Sequence, residues 1–114
     1  MLAAGKAGMR SASAAPALSV SISPSPSYDS RVGGGSLTSS LVAATASNGT
    51  APYTYVWTNI SGNSFTINTP NASSTTFTTT LIVGQLKSGI YRCTVTDSLS
   101  AVAYQEVQVD LEAF

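Results

Sequence analysis

From Leu18 onward the chain alternates. Leu18, Val20 and Ile22 fall on one phase and Ser19, Ser21 and Ser23 on the other, the period-two signature of a strand with one apolar face. Pro24 and Pro26 end that strand or hold it at a sheet edge. Gly33-Gly34-Gly35 reads as a flexible link, and Leu37 to Ala46 as one long strand of small residues. The register of that strand stays open, because the Leu41/Ala43 phase and the Val42/Ala44 phase are equally apolar. Asn48-Gly49 is a strong turn signal. Tyr53, Tyr55 and Trp57 then share one face, with Thr54, Val56 and Thr58 on the other. Ser61-Gly62-Asn63 turns the chain, Phe65 and Ile67 form a short strand, and Pro70-Asn71 breaks it. Thr75 to Val83 is a further strand with Phe77, Thr79 and Leu81 on one face. Gly84 and Lys87-Ser88-Gly89 lead into Tyr91, Cys93 and Val95, and the last strand runs from Val102 to Leu111 with Val107, Val109 and Leu111 inward. Turn signals recur about every 8–12 residues and no helical period follows residue 17. The pattern predicts an all-β sandwich of about seven short antiparallel strands.

Residues 1–17 break the pattern. They are rich in Ala, Gly and Ser and end at Ala14-Ala15-Pro16. Leu2, Lys6, Met9 and Arg10 could share one side of a short helix, but Gly5 and Gly8 make such a helix marginal. The segment reads as an extended or short helical arm, residues 1–17, ahead of one domain, residues 18–114. The interruptions at Gly5, Lys6, Gly8 and Arg10 leave no apolar core for a signal peptide.

Composition sharpens this. Charged residues are 9% of the chain, against about 25% in ordinary globular proteins. The 19 Ser and 14 Thr take their place, and β-branched Thr suits the solvent side of strands. Net charge is zero, so no basic stripe offers the phosphate neutralisation that nucleic-acid binding needs. A weakly charged surface lacks the self-repulsion that keeps proteins apart, which favours life inside an assembly; whether the chain is a monomer or a homo-oligomer stays open. Nothing in the chain approaches a membrane span.

Two segments carry a resemblance. They are Ala51-Pro52-Tyr53-Thr54-Tyr55-Val56-Trp57 and Arg92-Cys93-Thr94-Val95-Thr96-Asp97-Ser98, the second preceded by Gly89-Ile90-Tyr91. A Tyr two residues before a Cys at a strand start is the tyrosine-corner pattern, and the Trp belongs on the strand that the Cys strand crosses. Residues 50–111 resemble bacterial and bacteriophage immunoglobulin-like domains, a group that includes the polycystic-kidney-disease-type repeats. The resemblance implies an immunoglobulin-like sandwich whose core holds Trp57, Phe77, Leu81, Tyr91, Cys93 and Val95. This chain departs from the pattern at Lys87, where the fuller signature has Asp, and after Trp57, where Thr-Asn-Ile-Ser-Gly replaces the polycystic-type loop. The whole layout is similar to small proteins of tailed-phage structural gene clusters. That implies a virion component on the tail or capsid, made in the host cytoplasm and bound to other virion proteins.

Enzyme chemistry finds little support. The chain has no His, the commonest general base and metal ligand. Cys93, the one cysteine, has no base to activate it, and its phase points it at Trp57; it reads as a small core hydrophobe. With no second Cys there is no internal disulfide, which fits folding in a reducing compartment. Asp29, Asp97 and Asp110 could meet at one end and hold Ca²⁺, but they lack the Asp-x-Asp spacing of calcium loops. The sequons at Asn48, Asn59 and Asn71 are expected by chance in so Ser/Thr-rich a chain. The expectation is a non-enzymatic structural protein without cofactor or metal, attached through Leu2, Lys6, Met9 and Arg10. The alternative is a glycan-binding adhesion module whose ligand-facing residues are Tyr53, expected to be the exposed ring because it adjoins a loop, with Asn48 and Asn59.

Overall fold

The computed structural model describes residues 16–114, and all its regular structure is β. Ten strand segments follow in order: β1 (Ser19–Ser23), β2 (Ser27–Arg31), β3 (Gly35–Thr38), β4 (Val42–Ser47), β5 (Thr54–Gly62), β6 (Thr66–Ile67), β7 (Ser74–Thr75), β8 (Phe77–Leu81), β9 (Leu86–Thr96) and β10 (Val102–Ala113). One layer is the four-stranded sheet β2-β10-β9-β5. The other consists of two three-stranded ladders, β1-β4-β7 and β3-β8-β6. These two run on from each other, because β3 and β4 are halves of one course and β7 and β8 are halves of its neighbour.

The count exceeds seven because three strand courses are divided. The first apolar strand ends at Ser23, and the chain crosses at Pro24–Pro26 to the other layer. There β2 pairs with β10 in parallel, so the sheet is not purely antiparallel. The long strand expected over Leu37–Ala46 is also split. Thr38 pairs with Thr78 and Val42 with Thr75, so one course advances four residues where the other advances three. The extra residue is a bulge, and it reverses the phase. Ser39 is inward before it, Val42 and Ala44 are inward after it, and Leu41 is turned to solvent. The strand expected over Thr75–Val83 breaks at Thr76 and stops at Leu81, leaving Ile82 and Val83 outside.

Asn48 and Gly49 both have φ of 63°, the left-handed pair their sequence suits. They do not close a hairpin, since β4 and β5 belong to different layers. Nor is Gly33-Gly34-Gly35 a loose link. It makes the β2–β3 turn, and the Gly33 N–H donates to the Phe114 carbonyl at 2.7 Å.

The core lies between the layers. Val42, Phe77 and Leu81 face Trp57, Tyr91, Cys93, Val95, Val107, Val109 and Leu111, all buried. Its centre is aromatic. Phe77 meets the Trp57 ring edge-on at 6.0 Å and lies 4.6 Å from Tyr91, which stacks on Phe65 at 5.7 Å. Such pairs contribute about 0.5–1.5 kcal/mol each beyond the area they bury. Trp57 pairs directly with Cys93, and its indole N–H donates to the Ala72 carbonyl at 2.9 Å.

Tyr91 differs from a tyrosine corner. It sits in mid-strand rather than at a strand start. Its hydroxyl reaches across the layer to the β5–β6 connection, donating to the Asn63 carbonyl at 2.9 Å and accepting the Phe65 N–H. The reason is local. Gly62 and Gly89 are paired where β5 and β9 run close, and a Cβ on Gly62 would stand 2.5 Å from the Ser88 carbonyl. The connection is thereby drawn in under the tyrosine.

Candidate functional site

The register of the β2-β10-β9-β5 sheet decides what its outer face presents. Val56, Thr94 and Tyr104 form one cross-strand row, and Thr58, Arg92 and Glu106 form the next. Residues in such rows touch. The Arg92 guanidinium lies 3.9 Å from the centre of the Tyr104 ring, and its Nε donates to Glu106 Oε2 at 2.9 Å. The cation is held from two sides, and it in turn holds the ring. Tyr104 keeps 55% of its surface exposed, and Val56, Ile60 and Val102 nearby are also exposed. An ion pair this open adds little stability; what it supplies is a fixed ring and a fixed charge on a rigid sheet. At the far edge the Tyr28 hydroxyl donates to Glu112 at 2.8 Å, and that bond raises the pKa of the phenol.

One end of the sandwich, the head, is organised by Asp97. Its carboxylate accepts the N–H groups of Thr50 at 2.9 Å, Leu99 at 2.9 Å and Ala101 at 2.8 Å. The bond from Thr50, helped by those from Ala101 and Leu99, outweighs burial and lowers its pKa. Asp97 thus ties the β4–β5 connection to the β9–β10 loop. The chain enters here, with Leu18 against Gly49.

The opposite end, the foot, is built from the β2–β3 turn, the β8–β9 turn and the end of β10. Backbone bonds join them: Gly33 and Phe114, Phe114 and Arg31, Gly84 and Ala113, Ala113 and Gln85. Val32, Ile82, Val83, Leu86 and Phe114 are all exposed there, Val32 to 87%.

The residues singled out from sequence are scattered over these regions. Asn48 and Tyr53 meet at the head, where the Tyr53 hydroxyl donates to the Asn48 carbonyl. Tyr53 is half-buried against the core rather than the most exposed ring; Tyr104 and Tyr28 are more open. Asn59 is apart from both. It lies beside the β5 bulge, five positions along from Thr54, and its amide donates to the carbonyls of Ser61 at 3.2 Å and Asn63 at 3.1 Å. The three aspartates do not meet either. Asp97 is at the head, whereas Asp110 pairs with Ser88 and Asp29 with Leu111, about 30 Å away along β9. Asp29 instead accepts the N–H and hydroxyl of Ser40. Among the described residues no three acids or cysteines gather as a metal site. Cys93 is fully buried, and burial pushes its thiol up to about 11, which suppresses the thiolate that nucleophilic chemistry requires. Lys87, in place of the signature's Asp, donates to the Thr80 carbonyl at 3.0 Å. Leu2, Lys6, Met9 and Arg10 lie outside the described residues.

The sheet face and the foot went unremarked in the sequence. The phase of β10 alone puts Tyr104 opposite to Val107 and Val109, so its exposure was available from the alternation. Its contact with Arg92 required the register.

No family model matches the chain, and no curated protein does. A solved structure that superposes on it is a nucleoside hydrolase-related hypothetical protein from Saccharophagus degradans, described as associated with carbohydrate metabolism. The TM-score is 0.57 at 16% identity, over 89% of this chain and 26% of that one. The likeness is one of fold, and this chain spans about a quarter of that neighbour's length.

Proposed function

We propose that this chain is a non-enzymatic structural and adhesion module of the immunoglobulin-like type, carried on a tailed-phage virion. Residues 1–17 are its attachment arm and residues 18–114 its displayed sandwich. The strand order supports the immunoglobulin assignment. The first strand course is shared between layers, its first half against β4 and its second parallel to β10, while β5, β9 and β10 follow as neighbours. The single observation that carries a binding role is the outer face of that sheet. An arginine fixed on a tyrosine between exposed aliphatic side chains has the make-up of a protein-contact centre, where Tyr and Arg are enriched. Virion attachment is tested by removing residues 1–17 and following incorporation into particles. Loss of incorporation with a folded domain supports the arm's role, and unchanged incorporation removes it.

A glycan-binding role is a second reading, favoured by the half-exposed Tyr104 ring with a guanidinium and a carboxylate beside it. The sugar platform then moves from Tyr53 to Tyr104. Binding on a glycan array that vanishes in Tyr104→Ala supports it; a blank array for the parent protein rejects it.

A further inference from the structure

The foot is the most apolar exposed region of the sandwich. Val32, Ile82, Val83, Leu86 and Phe114 are exposed on or beside segments that backbone hydrogen bonds tie together at this one end. Scattered exposed aliphatics need no explanation, but their concentration at one end of a domain points to an interaction site.

We propose that this foot is the docking surface for residues 1–15 of a second copy of the chain, a head-to-tail contact. The proposal rests on the attachment-arm reading above and names the arm's partner.

Chemistry matches the two. Residues 1–15 hold Met1, Leu2 and Met9 among small residues, with Lys6 and Arg10 and no acid. Residues 16–114 hold Arg31, Lys87 and Arg92 against Asp29, Asp97, Glu106, Asp110 and Glu112, a net of two negative charges. Asp29, Asp110 and Glu112 lie in the half of the sheet next to the foot. The two cations of that half are directed onto carbonyls, Arg31 onto Ser36 and Lys87 onto Thr80. An arm with apolar anchors and two positive charges fits an apolar surface with acidic flanks.

Geometry selects a second copy. Pro16 precedes β1 at the head, where Asn48 donates to the Ala17 carbonyl and Leu18 and Asp97 flank Gly49, whereas the foot is a full β9 away, about 35 Å. Fifteen residues stretch to about 50 Å. Within one molecule the arm would spend about two-thirds of that reach along the flank, leaving Met9 and Arg10 short of the foot. Between molecules stacked head to foot the whole arm is at the contact. Such an interface is heterologous and extends into a ring or filament.

The test is the solution mass of the full chain and two full-length variants, Val83→Asp in the foot and Met9→Asp in the arm, from micromolar to near-millimolar concentration. The parent is expected to associate, and each variant to associate about tenfold or more weakly. Mixing the variants is the decisive arm. One keeps an intact arm and the other an intact foot, so an equimolar mixture forms one good contact and stops at a heterodimer. A monomeric parent overturns the proposal. So does a mixture that stays monomeric, or weakening by Val83→Asp but not by Met9→Asp, which indicates foot-to-foot pairing. Circular dichroism confirms that each variant is folded, and Ile82→Asp replaces Val83→Asp if it is not. Because the masses are read without particles, failure here is distinguishable from failure of virion incorporation.

Discussion

The Ser39 side chain stands in for a rung of the sheet at Phe77. The Ser39 N–H donates to the Phe77 carbonyl at 2.8 Å, and the Ser39 hydroxyl accepts the Phe77 N–H at 3.0 Å. Both residues are buried. The hydroxyl therefore satisfies a donor that the bulge between β3 and β4 would otherwise orphan. Ser39→Ala is expected to lower stability by about 1–3 kcal/mol, the cost of an unpaired buried N–H. Equilibrium urea unfolding measures it, and an unchanged midpoint would show that the N–H finds another partner.

Tyr91→Phe keeps the stack on Phe65 and the contact with Phe77 but removes the hydroxyl that serves both Asn63 and Phe65. The expected loss is again about 1–3 kcal/mol. Faster hydrogen exchange at the Phe65 amide should accompany it, which a loss of packing elsewhere would not produce.

Gly62 has φ of +75° and no room for a Cβ. Gly62→Ala is therefore expected to cost more than about 1 kcal/mol and to lower the thermal midpoint. Gly84→Ala, also at positive φ but in open space, is the milder control, and the ratio of the two separates crowding from backbone strain.

Asp97 makes stability depend on pH. Its folded pKa lies below the ordinary 3.8, chiefly through the Thr50 N–H, so the folded state binds the proton less readily than the unfolded chain. The stability it provides is complete above about pH 4 and is lost as pH falls through the lowered folded value. Asp97→Asn is expected to flatten that acid limb of a denaturation-midpoint curve, with the head loops becoming more labile.

Cys93 is the alkaline counterpart. Its thiol is held neutral by burial up to about 11, against an ordinary value of 9.0. The unfolded chain thus releases its proton first, and stability falls as pH rises through this interval. A thiol reagent at pH 8 should label the denatured chain and leave the native one unmarked.

Alternation carried much of the fold. The inward phase of Val107, Val109 and Leu111 and the shared face of Tyr53, Tyr55 and Trp57 were legible because one apolar side per strand is enforced by water. The Leu37–Ala46 register was not, and the bulge explains why. Leu37 and Ser39 point inward on one phase, while Val42, Ala44 and Ala46 point inward on the other, so no single phase could describe the run. The tyrosine-corner signature identified a buried tyrosine but not its partners, which lie 26 and 28 positions away.

Local sequence determined the inward phase of most strands, the turn at Asn48-Gly49 and a core built around Trp57, because periodicity and backbone preference act over a few residues. Tertiary structure alone decided the sheet order, the parallel β2–β10 pair, the Arg92–Tyr104–Glu106 group and the gathering of Val32, Ile82, Val83, Leu86 and Phe114 at the foot. Each of these joins segments distant in the chain, and which segments meet is settled by how two layers close over one core.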